Sequence, residues 1–350
     1  MSAEKKQLSE KQDSYLRLLD TIGQTYDAAQ KRALGAVHNE QVRAYWKIGR
    51  HIIEYEQAGN IKSEYGSKLI DRISGDLKRR YGQGFSRSNI IYMRLFFLKY
   101  PIGETLSHQL TWSHYFELLK ISNDIERSFY EKQCIYENWS VRELKRQKKS
   151  ALFFRLAHSK NKKKILKLAR NGQTVERPED AVKDPYIFEF LGIPEDTKPL
   201  ESDLERRIID NLQQFLLELG KGFAFIARQQ RITIANVHYR VDLVFYHRIL
   251  KCFVLIDLKV NEIEHNDIGQ MNMYLNYFKE EESAENDNEP IGIILVTDKD
   301  EILVKYATGG LSRKIFVSRY QTYLPDKKLL EEKIKSLMDG VKVGRRKGKR

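Results

Sequence analysis

At 350 residues and 41% apolar side chains, the chain is long enough for two domains that each bury a core. Two cysteines, Cys134 and Cys252, fall in no paired spacing, which argues against a disulfide framework or a zinc site. No apolar run approaches the roughly 18–20 residues needed to span a bilayer, and the polar first turns lack a secretion signal, so the expected location is the cytoplasm.

The net charge of +13 is concentrated. Residues 140–170 hold 12 Lys and Arg against one acid, Glu143, and the last ten residues hold six bases and no acid. Such local basicity suits contact with a polyanion, although a solvated helix face and an unstructured tail would carry the same charges.

Residues 1–155 read as a helical domain. In residues 41–53, Val42, Tyr45, Trp46, Ile48, Gly49 and Ile52 recur near helical spacing, and Leu69, Ile70, Ile73 and Leu77 form the next stripe. Gly82 and Gly84 break the chain, and Ser86 is placed to cap the helix that follows, up to Pro101. A helix after a glycine turn is similar to the second helix of a helix-turn-helix, in which Arg87, Asn89 and Arg94 could reach nucleic acid; the same residues could equally form the solvated face of a bundle helix. Two short helices lead to Ser140-Val-Arg-Glu143, a capping-box pattern that opens a basic helix. Its Lys145, Arg146, Lys148 and Lys149 are candidate phosphate contacts, which would position a nucleic acid without reading its sequence.

Residues 156–199 read as a linker, with Pro178, Pro185, Pro194 and Pro199 among the chain's seven prolines. Residues 200–340 then read as an α/β domain: a helix from Ser202 to Leu219, strands at 223–234, 239–246 and 252–260, a helix at 264–279, strands at 291–297 and 315–317, and a last helix at 326–338. That order implies a mixed sheet flanked by helices. Residues 341–350 form a basic tail.

Asp242 and Asp257 stand inside two otherwise apolar strands, where an unpaired carboxylate is costly. Strand side chains alternate, so Asp257 and Lys259 share a face, and a hairpin through residues 247–251 lets Asp242 join them. Paired carboxylates supply the oxygen ligands that Mg²⁺ or Mn²⁺ prefers, with the Leu258 carbonyl as a further donor. A metal so held lowers the pKa of bound water, and a lysine can steady developing phosphate charge, which together suit phosphodiester hydrolysis. A buried ion pair that only fixes the strands is the bland alternative. His238, His247 and His265 match no metal-ligand spacing.

Asp242 followed after 14 residues by Asp257-Leu-Lys259 resembles the PD-(D/E)XK nuclease signature. Gln270-Met-Asn-Met-Tyr274 resembles the Q-x-x-x-Y motif of some branches of that superfamily, and Glu205 occupies the place of an acid that often supports the metal. Over most of residues 41–297, phrases such as AYWKIGRHI, GFSRSNIIYMR, ESDLERRIIDNLQQFLLELGKGFAFIARQ and DIGQMNMY resemble the YhcG family, which joins a helical N-terminal domain to a PD-(D/E)XK domain. The proline of the signature is replaced by Val241, and its second acid is Asp257, one methylene shorter than Glu.

The resemblance implies a restriction-endonuclease-like domain that cleaves DNA. Asp242, Asp257, Leu258 and Glu205 would hold Mg²⁺ or Mn²⁺, Lys259 and Gln270 would act with the two aspartates in catalysis, and Tyr274 would support them. Capping remains an alternative role for Glu205, which stands three residues after Ser202, and Gln229 and Tyr239 are weaker candidates for supporting contacts. A homodimer, or a protein partner from a defence system or mobile element, is compatible with the same reading. The alternative class is a DNA-binding adaptor that keeps the fold without useful turnover.

Overall fold

The computed structural model describes residues 3–58, 66–103, 106–158, 162–195, 197, 199–298 and 314–339. The expected basic tail at 341–350 lies outside them. The chain divides into two compact units, residues 1–127 and 128–350.

The first unit is helical. A 55-residue helix α1 (Ala3–Gln57) is followed by α2 (Gly66–Tyr81), α3 (Arg87–Lys99) and α4 (Trp112–Leu119). The stripe expected from residue 41 onward packs on α3, whose Ile90, Met93 and Phe96 are fully buried. Gly49 permits the close crossing: a Cβ there would sit 2.0 Å from the Met93 carbonyl oxygen. Ser86 caps α3 as expected, accepting from the Asn89 backbone N–H. Aromatic rings of Tyr45, Phe96, Tyr100, Trp112 and Tyr115 meet edge-on or tilted to fill the core.

The second unit opens with α6 (Val141–Lys149), α7 (Leu152–His158), α8 (Lys162–Asn171) and the single turn α9 (Pro178–Ala181), after α5 (Asp124–Glu137), in which the division of the chain falls. Six strands follow: β1 (Tyr186–Ile187), β2 (Phe223–Ile234), β3 (Val237–His247), β4 (Cys252–Leu258), β5 (Ile291–Val296) and β6 (Ile315–Gln321). They form one sheet in the order β1-β6-β5-β4-β3-β2. The β2–β3–β4 part is antiparallel, and β4, β5, β6 and β1 run parallel. Between β1 and β2 lie α10 (Glu201–Asp210) and α11 (Leu212–Leu219), one expected helix broken at Asn211. Helix α12 (His265–Tyr277) connects β4 to β5, and α13 (Lys327–Asp339) ends the unit.

One core joins α10 and α11 to the sheet through Leu204, Ile208, Phe215, Leu243, Phe245, Val254 and Ile256. The other joins α12 through Ile268, Met271, Tyr274, Val244, Leu255 and Ile294. Burial on both sides explains why β5 reads as a continuous apolar run.

Residues 156–199 differ from the linker expectation. Two helices fill much of the stretch to Asn171, and Tyr186–Ile187 enters the sheet as β1, paired with Tyr320 and Gln321. Tyr186, Ile187 and Phe188 are fully buried. The prolines mark turns within the unit; a two-residue strand is too short to show a period.

Candidate active site

The tight hairpin between β3 and β4 sets the site. Its register pairs His247 with Cys252 and Leu243 with Ile256, so the next rung places Asp242 opposite Asp257. Beyond it β4 leaves the hairpin, and the Lys259 N–H bonds to the Leu295 carbonyl of β5. The carboxylates therefore stand where the β4 strand ends, the usual site position in sheets with parallel strands.

Each carboxylate is held from a different direction. Asp242 Oδ2 accepts from the Leu258 backbone N–H at 2.9 Å, and Oδ1 from Gln229 Nε2 at 2.9 Å. Asp257 is buried and lies 3.1 Å from Lys259 Nζ, which reaches Asp267 on α12 at 3.4 Å. Burial, and then the charge of Asp257, push Asp242 up to about 7. Burial raises Asp257 as well, against the opposing pull of Lys259. For Lys259 burial is outweighed by Asp257 and Asp267, which hold the ammonium above its ordinary value. It is a fixed positive charge at neutral pH, not a base.

The pair is thus short of positive charge, with one lysine shared between Asp257 and Asp267. Hard oxygen donors in that state fit a divalent cation. Asp242, Asp257 and the Leu258 carbonyl are the residues that could hold one. Among the described residues no cluster of three or more His, Cys, Asp or Glu side chains is arranged as a ligand set. Glu205 is buried on α10, and its carboxylate accepts from Arg228 Nε and from Gln229 Nε2 at 2.8 Å. Gln229 therefore bridges Glu205 and Asp242. The capping role open to Glu205 is not taken, since α10 begins at Glu201 after Leu200, with no side-chain cap. An open pocket of about 520 Å³ borders this cluster, lined by Leu200, Glu201, Ser202, Glu205, Gln229, Asp242 and Val260.

Gln270 and Tyr274 face together on α12, and Gln270 donates to the Tyr274 hydroxyl. Tyr274 is fully buried and donates to the Arg240 carbonyl at 3.0 Å, which fixes β3 two residues before Asp242. Gln270 thus touches Tyr274 and not the carboxylates. Tyr239 lies edge-on against Tyr274. His247 is buried under Gly222, and Cys134 and Cys252 are buried thiols that burial pushes up to about 12 and 11.

The candidate nucleic-acid contacts fare unevenly. Arg146 is folded inward, pairing with Glu189 at 2.9 Å and Glu218 at 3.2 Å. Arg94 is paired with Glu56 at 2.8 Å, Arg87 with Asp71 at 2.7 Å, and Asn89 Nδ2 donates to the Gly84 carbonyl. Lys145 and Lys149 are exposed and Lys148 half-buried on α6. Arg146 and Arg94 thus serve internal carboxylates, because the partner of a charge is set by packing and not by the local run of bases. Two features escaped the sequence reading: Asp267 as the second partner of Lys259, and the arginines of the β2–β3 hairpin. The hairpin was legible in part, since residues 223–241 contain Arg228, Arg231 and Arg240 and no acid.

Residues 179–335 match the family described as YhcG PDDEXK nuclease domain, and residues 21–155 match the DUF1016 N-terminal domain. A protein of Escherichia coli (strain K12) named "Putative nuclease YhcG" is 37% identical over 352 residues, spanning 91% of this chain and 93% of the relative. Among solved structures, a repair endonuclease from Pyrococcus abyssi aligns with 38% of this chain at 19% identity and a TM-score of 0.25. An EndoMS–dsDNA2 complex aligns with 38% at 16% identity and a TM-score of 0.26. The chain spans 50% of the length of each, and at these scores neither likeness carries an argument.

Proposed function

This chain belongs to the YhcG family, with its PDDEXK nuclease domain, and from that premise we propose that it hydrolyses DNA phosphodiester bonds as a Mg²⁺- or Mn²⁺-dependent endonuclease. The observation that carries the reading is the pair Asp242 and Asp257, two carboxylates raised by burial, Asp242 also by the charge of Asp257, beside a lysine held charged. A bound cation would supply a water of lowered pKa and charge against the phosphate.

The chain's own groups do the rest. Asp242 and Asp257 would hold the cation with the Leu258 carbonyl. The Leu258 N–H and Gln229 fix the Asp242 carboxylate, so it needs little reorganisation when a cation arrives. Lys259 offers an ammonium to the phosphate oxygen on which charge develops, anchored between Asp257 and Asp267. Glu205 acts through Gln229 in this arrangement, and Gln270 acts through Tyr274 on the path of β3.

The test is cleavage of linear, nicked and branched DNA with Mg²⁺, Mn²⁺ or EDTA. Wild type cuts with either metal and not with EDTA, while Asp257→Ala and Lys259→Ala bind DNA without cutting. Binding without cleavage under any metal would instead support a non-catalytic adaptor, and equal cutting by the variants would remove these residues from the chemistry.

A further inference from the structure

The distal half of the β2–β3 hairpin carries a like-charge rung. Arg231 on β2 stands directly opposite Arg240 on β3, and both are exposed. Among the described residues Arg231 reaches only His238, at 2.8 Å, and Arg240 has no side-chain hydrogen bond or ion pair. Like charges in direct cross-strand register destabilise a hairpin. No acid lies between Phe223 and Val241 to offset them. A fold that needed only a stable arm would place an acid or a threonine at one of the two positions.

The rung's position gives it a use. Along β3, burial alternates so that His238, Arg240 and Asp242 occupy the more accessible side while Tyr239 and Val241 turn inward. Along β2, Gln229 precedes Arg231 by two residues and bonds to Asp242. The arginine pair is therefore the next rung beyond Asp242 on the accessible side of β3, about 7 Å along the strands. A tight turn with Ala235 and Asn236 both at positive φ, 48° and 64°, closes the arm.

We propose that Arg231 and Arg240 form a phosphate-binding clamp that seats the nucleic-acid backbone phosphate flanking the one at Asp242 and Asp257. The placement of that phosphate rests on the nuclease reading; the clamp itself does not require turnover. Two guanidiniums on one face present forked donors to a single phosphodiester, and the bound anion relieves their repulsion.

The experiment uses the full chain in EDTA with fluorescently labelled DNA and RNA duplexes and single strands as probes. Arg231→Thr and Arg240→Thr each lower affinity about tenfold, and the slope of log K against log salt becomes shallower by about one per lost contact. The same variants unfold at an equal or higher temperature than wild type, because the repulsion is gone. Arg240→Lys restores part of the affinity, and Arg248→Thr, in the exposed β3–β4 turn, leaves it within twofold. Unchanged affinity and slope, absence of binding by wild type, or a fall in unfolding temperature overturns the clamp. A protein that binds through the rung but never cuts overturns the nuclease reading alone, and one that cuts without dependence on the rung overturns the clamp alone.

A second, independent observation concerns α1. Every residue from 15 to 34 is exposed, although Tyr15, Leu19, Ile22 and Tyr26 are 58%, 45%, 55% and 64% accessible apolar side chains. Most helix stability in proteins comes from packing an apolar face against a partner. With Ala29 and Ala33 these residues alternate in steps of four and three, the spacing of a coiled-coil seam. Arg17, Asp20, Asp27 and Lys31 fall off the seam, so two copies meet without opposing charges, and Glu40, Arg43 and Lys47 end it on the same face. We infer that this seam pairs with the same seam of a second copy. Sedimentation of the full chain then gives twice the 41.3 kDa mass, with Leu19→Lys/Ile22→Lys monomeric and Asp27→Lys dimeric. A monomeric wild type, or a seam variant that stays dimeric, overturns it.

Discussion

Asp242 is a carboxyl group whose chemistry is set by its neighbours. In the cation-free protein its folded pKa, about 7, exceeds the ordinary value of 3.8. A group raised in this way contributes stability that is complete below pH 3.8 and is lost as pH rises through 7. Asp242→Asn removes that loss: in EDTA it unfolds at a higher temperature than wild type at pH 8, and the difference shrinks toward pH 4. Mg²⁺ reverses the order at pH 8, since it holds the wild-type pair ionised. Gln229 belongs to the same scale. Its amide joins Asp242 to Glu205 from a backbone at φ 48°, so Gln229→Ala breaks that link and leaves Glu205 to Arg228 and Asp242 to the Leu258 N–H. Loss of such a supporting contact lowers metal-dependent activity about 10–100-fold, and cleavage rates at saturating DNA measure it while binding in EDTA stays unchanged.

At the scale of elements, the basic helices and the sheet are joined by buried charge. Glu218 on α11 is fully buried and accepts from Arg155 on α7 at 2.9 Å, from Arg146 on α6 at 3.2 Å and from the Ile187 N–H of β1 at 3.0 Å. Lys183 donates to its backbone carbonyl. Burial opposes its ionisation, but Arg155, Lys183 and Arg146 outweigh it and hold the carboxyl below its ordinary value. Removing one member leaves the others charged and unpaired, so Glu218→Ala destabilises the second unit by about 3–5 kcal/mol, read from urea unfolding. Arg146→Ala weakens stability in the same direction while leaving DNA affinity close to wild type. The sequence expectation for Arg146 was a phosphate contact, yet α6 turns it inward and leaves Lys145 and Lys149 outside.

At the scale of the molecule, the chain forms two units, each with buried apolar side chains of its own, and the second holds the two carboxylates. A ligand stabilises the fold that binds it. Millimolar Mg²⁺ therefore raises the unfolding temperature of the second unit in calorimetry and leaves the first in place, and EDTA reverses the shift. Asp257→Ala shows no such response. The helical and α/β halves were both legible in the residue pattern. The division near residue 127 was not, since the basic helices that follow it read as a continuation of the preceding helical run, and their allegiance to the sheet passes through Glu218.

Amino-acid order alone determined most strands and helices from residue 200 onward, because side-chain periodicity is a local property of the backbone, while the two-residue β1 and the helix break at Asn211 lay beyond its reach. It also led to the expectation that Asp257 and Lys259 face together, and the two pair at 3.1 Å although β4 itself ends at Leu258. Tertiary structure decided what meets what. Hairpin register put Asp242 opposite Asp257, α12 brought Asp267 to Lys259, and α10 brought Glu205 to Arg228 and Gln229. Pairing between distant segments depends on the whole packed arrangement, and so does the partner of every charge. That is why the three-residue core of the site could be read from the chain, while its supports, the Arg231–Arg240 rung and the inward turn of Arg146 appear only in the folded protein.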